Sequence, residues 1–170
     1  MSFNKTYVIL LAGGYGTRFE SAIPKQFVKM DGVPIIIYTL RKLQIDAISE
    51  ITIVCVKKWI PYLEKLIDEF HIKKVSRIVP GGDTGFASTC NGFYALPDDV
   101  SEDDIIIIHD SVRPLIPAAV IEDAIDKATK YGNGCASLKS VEGLVLRDNP
   151  LCGVKPANRY RVMRVQTPQA

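Results

Sequence analysis

Three glycines and two cations crowd the first 25 residues: Gly13, Gly14 and Gly16, then Arg18, then Lys25 within Pro24-Lys25-Gln26. Bare glycine backbone lets several N–H groups approach one anion and permits positive φ, while Arg18 and Lys25 supply charge that phosphate oxygens accept. Such a set can bind a polyphosphate and stabilise negative charge growing on it. A glycine-rich turn also opens dinucleotide-binding folds, but those want G-x-G-x-x-G running into a helix, with an acidic residue about 20 positions later. Here Thr17, Arg18 and Phe19 follow Gly16, and Pro24 interrupts any helix. The loop is long and basic, which suits phosphates lying along it.

Two further segments carry polar groups of the right kind. Gly81-Gly82-Asp83-Thr84 reads either as a turn whose Asp83 or Thr84 caps the next helix, or as bare backbone that, with the hydroxyl of Ser88, hydrogen-bonds the edge of a planar base. Asp110 follows four isoleucines and His109, where a buried strand meets solvent. A carboxylate there is a natural Mg²⁺ ligand, since that ion is usually held by one or two carboxylates together with substrate phosphates. The plainer reading makes Asp110 an acceptor for Arg113 or for the turn's backbone. Arg113 itself either orients Asp110 or braces the loop.

These residues need elements that deliver them to one place. Strand-like runs at 7–12, 51–56, 76–79, 105–108 and 134–138 alternate with helix-like segments at 34–43, 59–70, 84–96 and 118–131. Continuous rather than alternating apolar strands imply burial on both faces by crossover helices. The expected fold is therefore α/β, a three-layer sandwich on a parallel or mostly parallel sheet. In such sheets ligands lie beyond the carboxyl ends of the strands, and all three polar segments leave strands at that end.

Composition sets limits. At 170 residues and 47% hydrophobic content, the chain can bury a core and is most simply one domain. A net charge of +2 gives no reason to expect nucleic acid or a membrane surface as a partner. The longest apolar runs fall far short of the roughly 20 residues needed to span a bilayer, and no secretion signal opens the chain, so a soluble cytoplasmic protein is expected. Cys55, Cys90, Cys135 and Cys152 form no metal-ligand pattern and read as free thiols, with Cys55 and Cys135 as small core residues. His71 and His109 are too isolated to suggest zinc.

Five motifs in order, Leu11 to Arg18, Pro24-Lys25-Gln26, Gly81-Gly82-Asp83, His109 to Pro114, and Thr167-Pro168-Gln169, together resemble the cytidylyltransferases acting on polyol phosphates. These include the 2-C-methyl-D-erythritol 4-phosphate and the D-ribitol 5-phosphate enzymes. The resemblance implies a Rossmann-like nucleotidyltransferase fold, CTP as co-substrate, Mg²⁺ and a homodimer. It matches Ala12, Gly13, Gly14, Gly16, Gly82, Asp83, Ser88 and Ser111 to CTP contacts, with Asp110 as the metal ligand among them. Arg18 and Lys25 match the catalytic basic pair, and Arg113 and Arg159 match residues that bind the substrate phosphate.

The segment from about 142 to 164 breaks the alternation and is too long for a simple loop. In the resembling enzymes it is an arm that grips the partner subunit. Those enzymes also continue for some tens of residues past the position of Gln169, with a further strand and helix and a phosphate-binding lysine. Two other readings stand beside this one. One is a sugar-1-phosphate nucleotidyltransferase of the same fold, disfavoured by the Gly82-Asp83 and Ser88 arrangement. The other is an inactive, truncated module that binds nucleotide or dimerises without releasing pyrophosphate.

Overall fold

The computed structural model describes residues 4–14, 23–147 and 153–170. Gly16 and Arg18, two of the residues singled out above, lie outside them, as do Cys152 and the tip of the arm. Strand β1 (Thr6–Ala12) is followed by a 3-10 turn (Lys25–Phe27) and a small hairpin, β2 (Lys29–Met30) and β3 (Val33–Pro34). Asp31 and Gly32 both take positive φ, as the tight hairpin turn joining β2 to β3 requires. Then come α1 (Ile35–Lys42), β4 (Glu50–Cys55), α2 (Ile60–Glu69), β5 (Val75–Pro80), α3 (Gly85–Tyr94), β6 (Ile105–Asp110) and α4 (Ala118–Tyr131). The last elements are β7 (Cys135–Lys139), β8 (Leu144–Arg147), β9 (Gly153–Ala157) and β10 (Met163–Gln169).

Six strands form the central sheet in the order β5-β4-β1-β6-β10-β7. β5, β4, β1 and β6 run parallel, as the largely apolar sequences of β4, β1 and β6 favour, and β10 enters antiparallel to both β6 and β7. The sheet is thus mostly parallel. Its antiparallel member carries Thr167, Pro168 and Gln169, a segment whose own residue pattern announces no strand.

Side-chain parity along β1 explains the layers. Val8, Leu10 and Ala12 join Ile36, Ile37 and Leu40 of α1, Leu63 and Leu66 of α2 and Ile121 of α4 in one buried core. Ile9 faces the other way, where α3 packs so closely that a Cβ added at Gly92 would overlap Ile9 and Val54. Each fully buried Leu or Ile contributes roughly 1.5–3 kcal/mol, so β1, buried almost throughout, is the spine of the domain. The glycine loop that leaves β1 therefore starts from a strand buried almost throughout.

β8 and β9 pair with each other in a separate two-stranded sheet that joins none of the six central strands. The excursion expected over 142–164 is this hairpin followed by a 3-10 turn (Arg159–Arg161), and its last residues, from Met163, belong to the central sheet as β10. Cys55 is buried as expected, but Cys135 is exposed and is not a core residue. It opens β7, the edge strand, most of whose residues remain uncovered.

Candidate functional site

The carboxyl ends of β1, β5 and β6 surround an open cleft of about 960 Å³, within the range of small-molecule sites. Ala12, Gly13, Gly14, Lys25, Gly82, Asp83, Ser88, Asp110 and Ser111 line it together. Nine residues picked from sequence thus meet on one rim. Arg113 and Arg159 are absent from the described lining.

The glycines are there for space. A Cβ on Gly81 would stand 3.3 Å from the Cα of Gly13, so the loops after β1 and β5 touch backbone to backbone. At Gly14 an added Cβ would meet nothing within 4 Å, which leaves its backbone bare toward the cleft. The second loop is braced from inside: Ser88, buried in α3, accepts from the Gly82 N–H at 3.1 Å. Thr84 is the cap of α3, its Oγ1 accepting from the Ala87 N–H at 3.0 Å. Of the two capping candidates it is Thr84 that caps, and Asp83 remains on the cleft wall.

Lys25 opens a 3-10 turn whose other two residues are both buried. Phe27 is stacked on Trp59 with ring centroids 5.1 Å apart and edge-on to Tyr62 at 5.5 Å. The side-chain amide of Gln26 donates to the carbonyl of Ala12 at 2.6 Å and of Gly14 at 3.3 Å. No role for Gln26 was legible in the sequence beyond its place beside Lys25.

At the end of β6, Arg113 Nε donates to Asp110 Oδ2 at 2.8 Å, and its Nη1 donates to Gln166 Oε1 at 2.7 Å. Thr167 Oγ1 donates to the same carboxylate oxygen at 3.3 Å. Of the alternatives open for Arg113, the geometry selects the orientation of Asp110, assisted by two residues of β10 whose part the sequence did not reveal. Among the described residues the side-chain hydrogen bonds to Asp110 all fall on Oδ2. One oriented carboxylate at a cleft mouth is the donor set Mg²⁺ takes when phosphates complete its shell, and no group of three or more metal-ligating side chains exists among the described residues. The residues present fit that ion.

His109, just before Asp110, is fully buried, and neither ring nitrogen finds a partner among the described residues. Burial pushes its pKa down to about 4, partly opposed by the Asp110 charge and slightly reinforced by Arg113. The imidazole is neutral at pH 7 and belongs to the core side of β6. Ser111 is held by Thr39, whose buried hydroxyl donates to its carbonyl at 2.8 Å. Arg159 lies on the arm, exposed, with its guanidinium 5.2 Å from the ring centre of Tyr160.

Residues 6–170 match the family model for 2-C-methyl-D-erythritol 4-phosphate cytidylyltransferase. The chain is 40% identical over 143 residues to a ribitol-5-phosphate cytidylyltransferase of Vibrio parahaemolyticus, an alignment covering 83% of this chain and 60% of that one. It is 34% identical over 167 residues to a 2-C-methyl-D-erythritol 4-phosphate cytidylyltransferase of Clostridium botulinum, covering 98% of this chain and 72% of that protein. The chain therefore spans between 60% and 72% of the length of these two relatives. In fold it is similar to the crystal structure of 4-diphosphocytidyl-2C-methyl-D-erythritol synthase from Anaerococcus prevotii, with a TM-score of 0.83 at 22% identity over 98% of this chain and 70% of that one.

Proposed function

Given that the chain belongs to the 2-C-methyl-D-erythritol 4-phosphate cytidylyltransferase family, we propose that it joins CMP from CTP to a polyol phosphate, D-ribitol 5-phosphate in the first instance, with release of pyrophosphate. The observation that carries the proposal is the meeting of Gly13, Gly14, Lys25, Gly82, Asp83 and Asp110 around one cleft. The ribitol acceptor draws support from the relative at 40% identity, where the methylerythritol enzyme of Clostridium botulinum stands at 34%. The Gly13-Gly14 and Ser111-Val112 pairs lean the same way.

A phosphate oxygen of the acceptor attacks the α-phosphorus of CTP, a P–O bond forms, and the bond from that phosphorus to the oxygen bridging to the β-phosphate breaks. The nucleophile is already an anion, so no general base is needed. The barrier arises from bringing two anions together and from charge growing on the α and β phosphates. Positioning and electrostatic stabilisation are the terms the protein must supply. Lys25 meets the phosphates from a turn pinned by Gln26 and Phe27, and the N–H groups of the glycine loop add dipoles that need no reorganisation. Arg18 completes the basic pair.

Gly82, Asp83 and Ser88 form the wall for the base in this reading, and Ala12 and Ser111 close its sides. Asp110, held on Oδ2, would bind Mg²⁺; that ion would neutralise phosphate charge and fix the triphosphate's position. Arg113 and Arg159 serve the acceptor phosphate in this reading, with Arg159 reaching the site of a partner across the arm of a cytoplasmic homodimer. No helix among the described residues is long and apolar enough to cross a membrane.

Equilibrium titration with CTP, UTP, ATP and GTP in Mg²⁺ tests the nucleotide assignment. The proposal expects CTP to bind at least tenfold more tightly than the purine nucleotides, the spread that about 1.4 kcal/mol of base-edge contacts gives. Equal binding of all four would sink it and return the sugar-1-phosphate reading.

A further inference from the structure

The Gln26 side chain has two neighbours of one kind. Both are carbonyl oxygens, Ala12 O at 2.6 Å and Gly14 O at 3.3 Å, so only the amide NH₂ of Gln26 can face them. The residue is 3% exposed, and an amide of that size is not buried unless its hydrogen bonds compensate. Gln26 connects the turn that carries Lys25 to the loop that leaves β1, bonding across 12 and 14 positions of sequence. From the proposed phosphate chemistry, on which this inference rests, we infer that Gln26 is a positioning residue: it locks the glycine loop and the lysine turn into one unit.

The geometry gives the mechanism. In a planar trans peptide the C=O and the following N–H point in opposite directions. Drawing the Ala12 carbonyl inward onto Gln26 therefore turns the Gly13 N–H away from Gln26, and Gly13 lines the cleft. The Gly14 carbonyl is drawn the same way, which keeps a carbonyl oxygen from facing incoming phosphates. Glycine is otherwise free to flip such peptides, so the loop after β1 needs an outside partner to choose one orientation. Phe27, buried under Trp59 and Tyr62, holds the other end of the arrangement to the core.

The test substitutes Gln26→Met, which keeps length and removes the donors, and Gln26→Glu, which turns a carboxylate toward two carbonyl dipoles. Gln26→Met is expected to raise KM for CTP about tenfold and to lower kcat as well, while KM for the polyol phosphate stays unchanged; Gln26→Glu should be worse. A merely structural loss would lower the active fraction, and so kcat, with both KM values intact. Folded Gln26→Met with wild-type KM for CTP overturns the inference.

A second measurement needs no variant. On titrating the native protein with CTP in Mg²⁺, the Gly13 backbone amide should shift in ¹H–¹⁵N spectra, and the Gln26 side-chain amide protons should exchange slowly with solvent both before and after. CTP that binds while the Gly13 amide stays unmoved, or a Gln26 amide that exchanges freely, refutes the positioning role. Failure of CTP to bind the native protein at all refutes instead the function proposed above.

Discussion

Gly82→Ala separates a glycine required by packing from one required by a ligand. The new Cβ would stand 2.6 Å from the Ala87 Cβ, 3.1 Å from the Ala87 carbonyl carbon and 3.3 Å from the Ser88 nitrogen. Carbon atoms rest about 3.5–4.0 Å apart, so the loop and the first turn of α3 must separate by about 1 Å. The helix has little room to yield, because Gly92 already brings its last turn against Ile9 and Val54. The displacement falls on the loop and stretches the 3.1 Å bond from the Gly82 N–H to Ser88. Overpacking of this kind costs about 2 kcal/mol, which lowers Tm by roughly 4–8 °C in a chain of this size. A shift of about 1 Å in a wall of the nucleotide site should also cost up to a hundredfold in kcat/KM for CTP. Gly14→Ala is the contrast, since its Cβ enters open space: Tm should hold while CTP binding weakens. Differential scanning fluorimetry with steady-state kinetics reads both. A Gly82→Ala protein with unchanged Tm and unchanged KM for CTP would refute the packing argument.

Lys25→Ala should keep its melting temperature and lose about a hundredfold in turnover, the cost of about 3 kcal/mol typical for one preorganised charge contact; near-normal turnover in the folded variant removes Lys25 from the mechanism. Arg113→Met should raise the Mg²⁺ concentration needed for half-maximal activity, because Asp110 loses the donor that orients it. If only KM for the polyol phosphate rises, Arg113 serves the acceptor phosphate alone and its bond to Asp110 plays no part in holding Mg²⁺. His109, with its folded pKa depressed to about 4 from 6.5, is neutral when buried and takes a proton on unfolding, so its contribution is present above pH 6.5 and is lost as pH falls toward 4. That loss is on the order of 3 kcal/mol. Urea unfolding in metal-free buffer should show a steeper decline between pH 6.5 and 4.5 in the native protein than in His109→Leu, and equal slopes would count against the burial argument.

Much of the fold could be read directly, and the reasons are physical. β1 and β4 are buried on both faces and β6 is at least half-buried on both, so apolar residues fill them almost throughout and their boundaries fall within a residue or two of those expected. β10 was not legible: its residues Met163 to Gln169 carry no clear period, and their strand state is imposed by pairing with β6 and β7. Cys135 misled for a related reason, since an apolar neighbourhood in sequence does not say whether a strand lies at the edge of its sheet.

The site divides along the same line. Glycines, cations and the acidic residue after a buried strand announce themselves by type and position, and Gly13, Gly14, Gly82, Lys25 and Asp110 line the cleft. The residues that hold them, Gln26 under the glycine loop and Gln166 and Thr167 beside Asp110, act across 12 to 57 positions of sequence. Such partners become visible only when the sheet brings the segments together.

Pyrophosphate release by the purified chain, given CTP and Mg²⁺, tests the central claim most directly when D-ribitol 5-phosphate, 2-C-methyl-D-erythritol 4-phosphate and no acceptor are compared. The account predicts release that depends on an acceptor, faster with the ribitol compound. Bound CTP with no release in any of the three reactions would contradict it and leave a nucleotide-binding module.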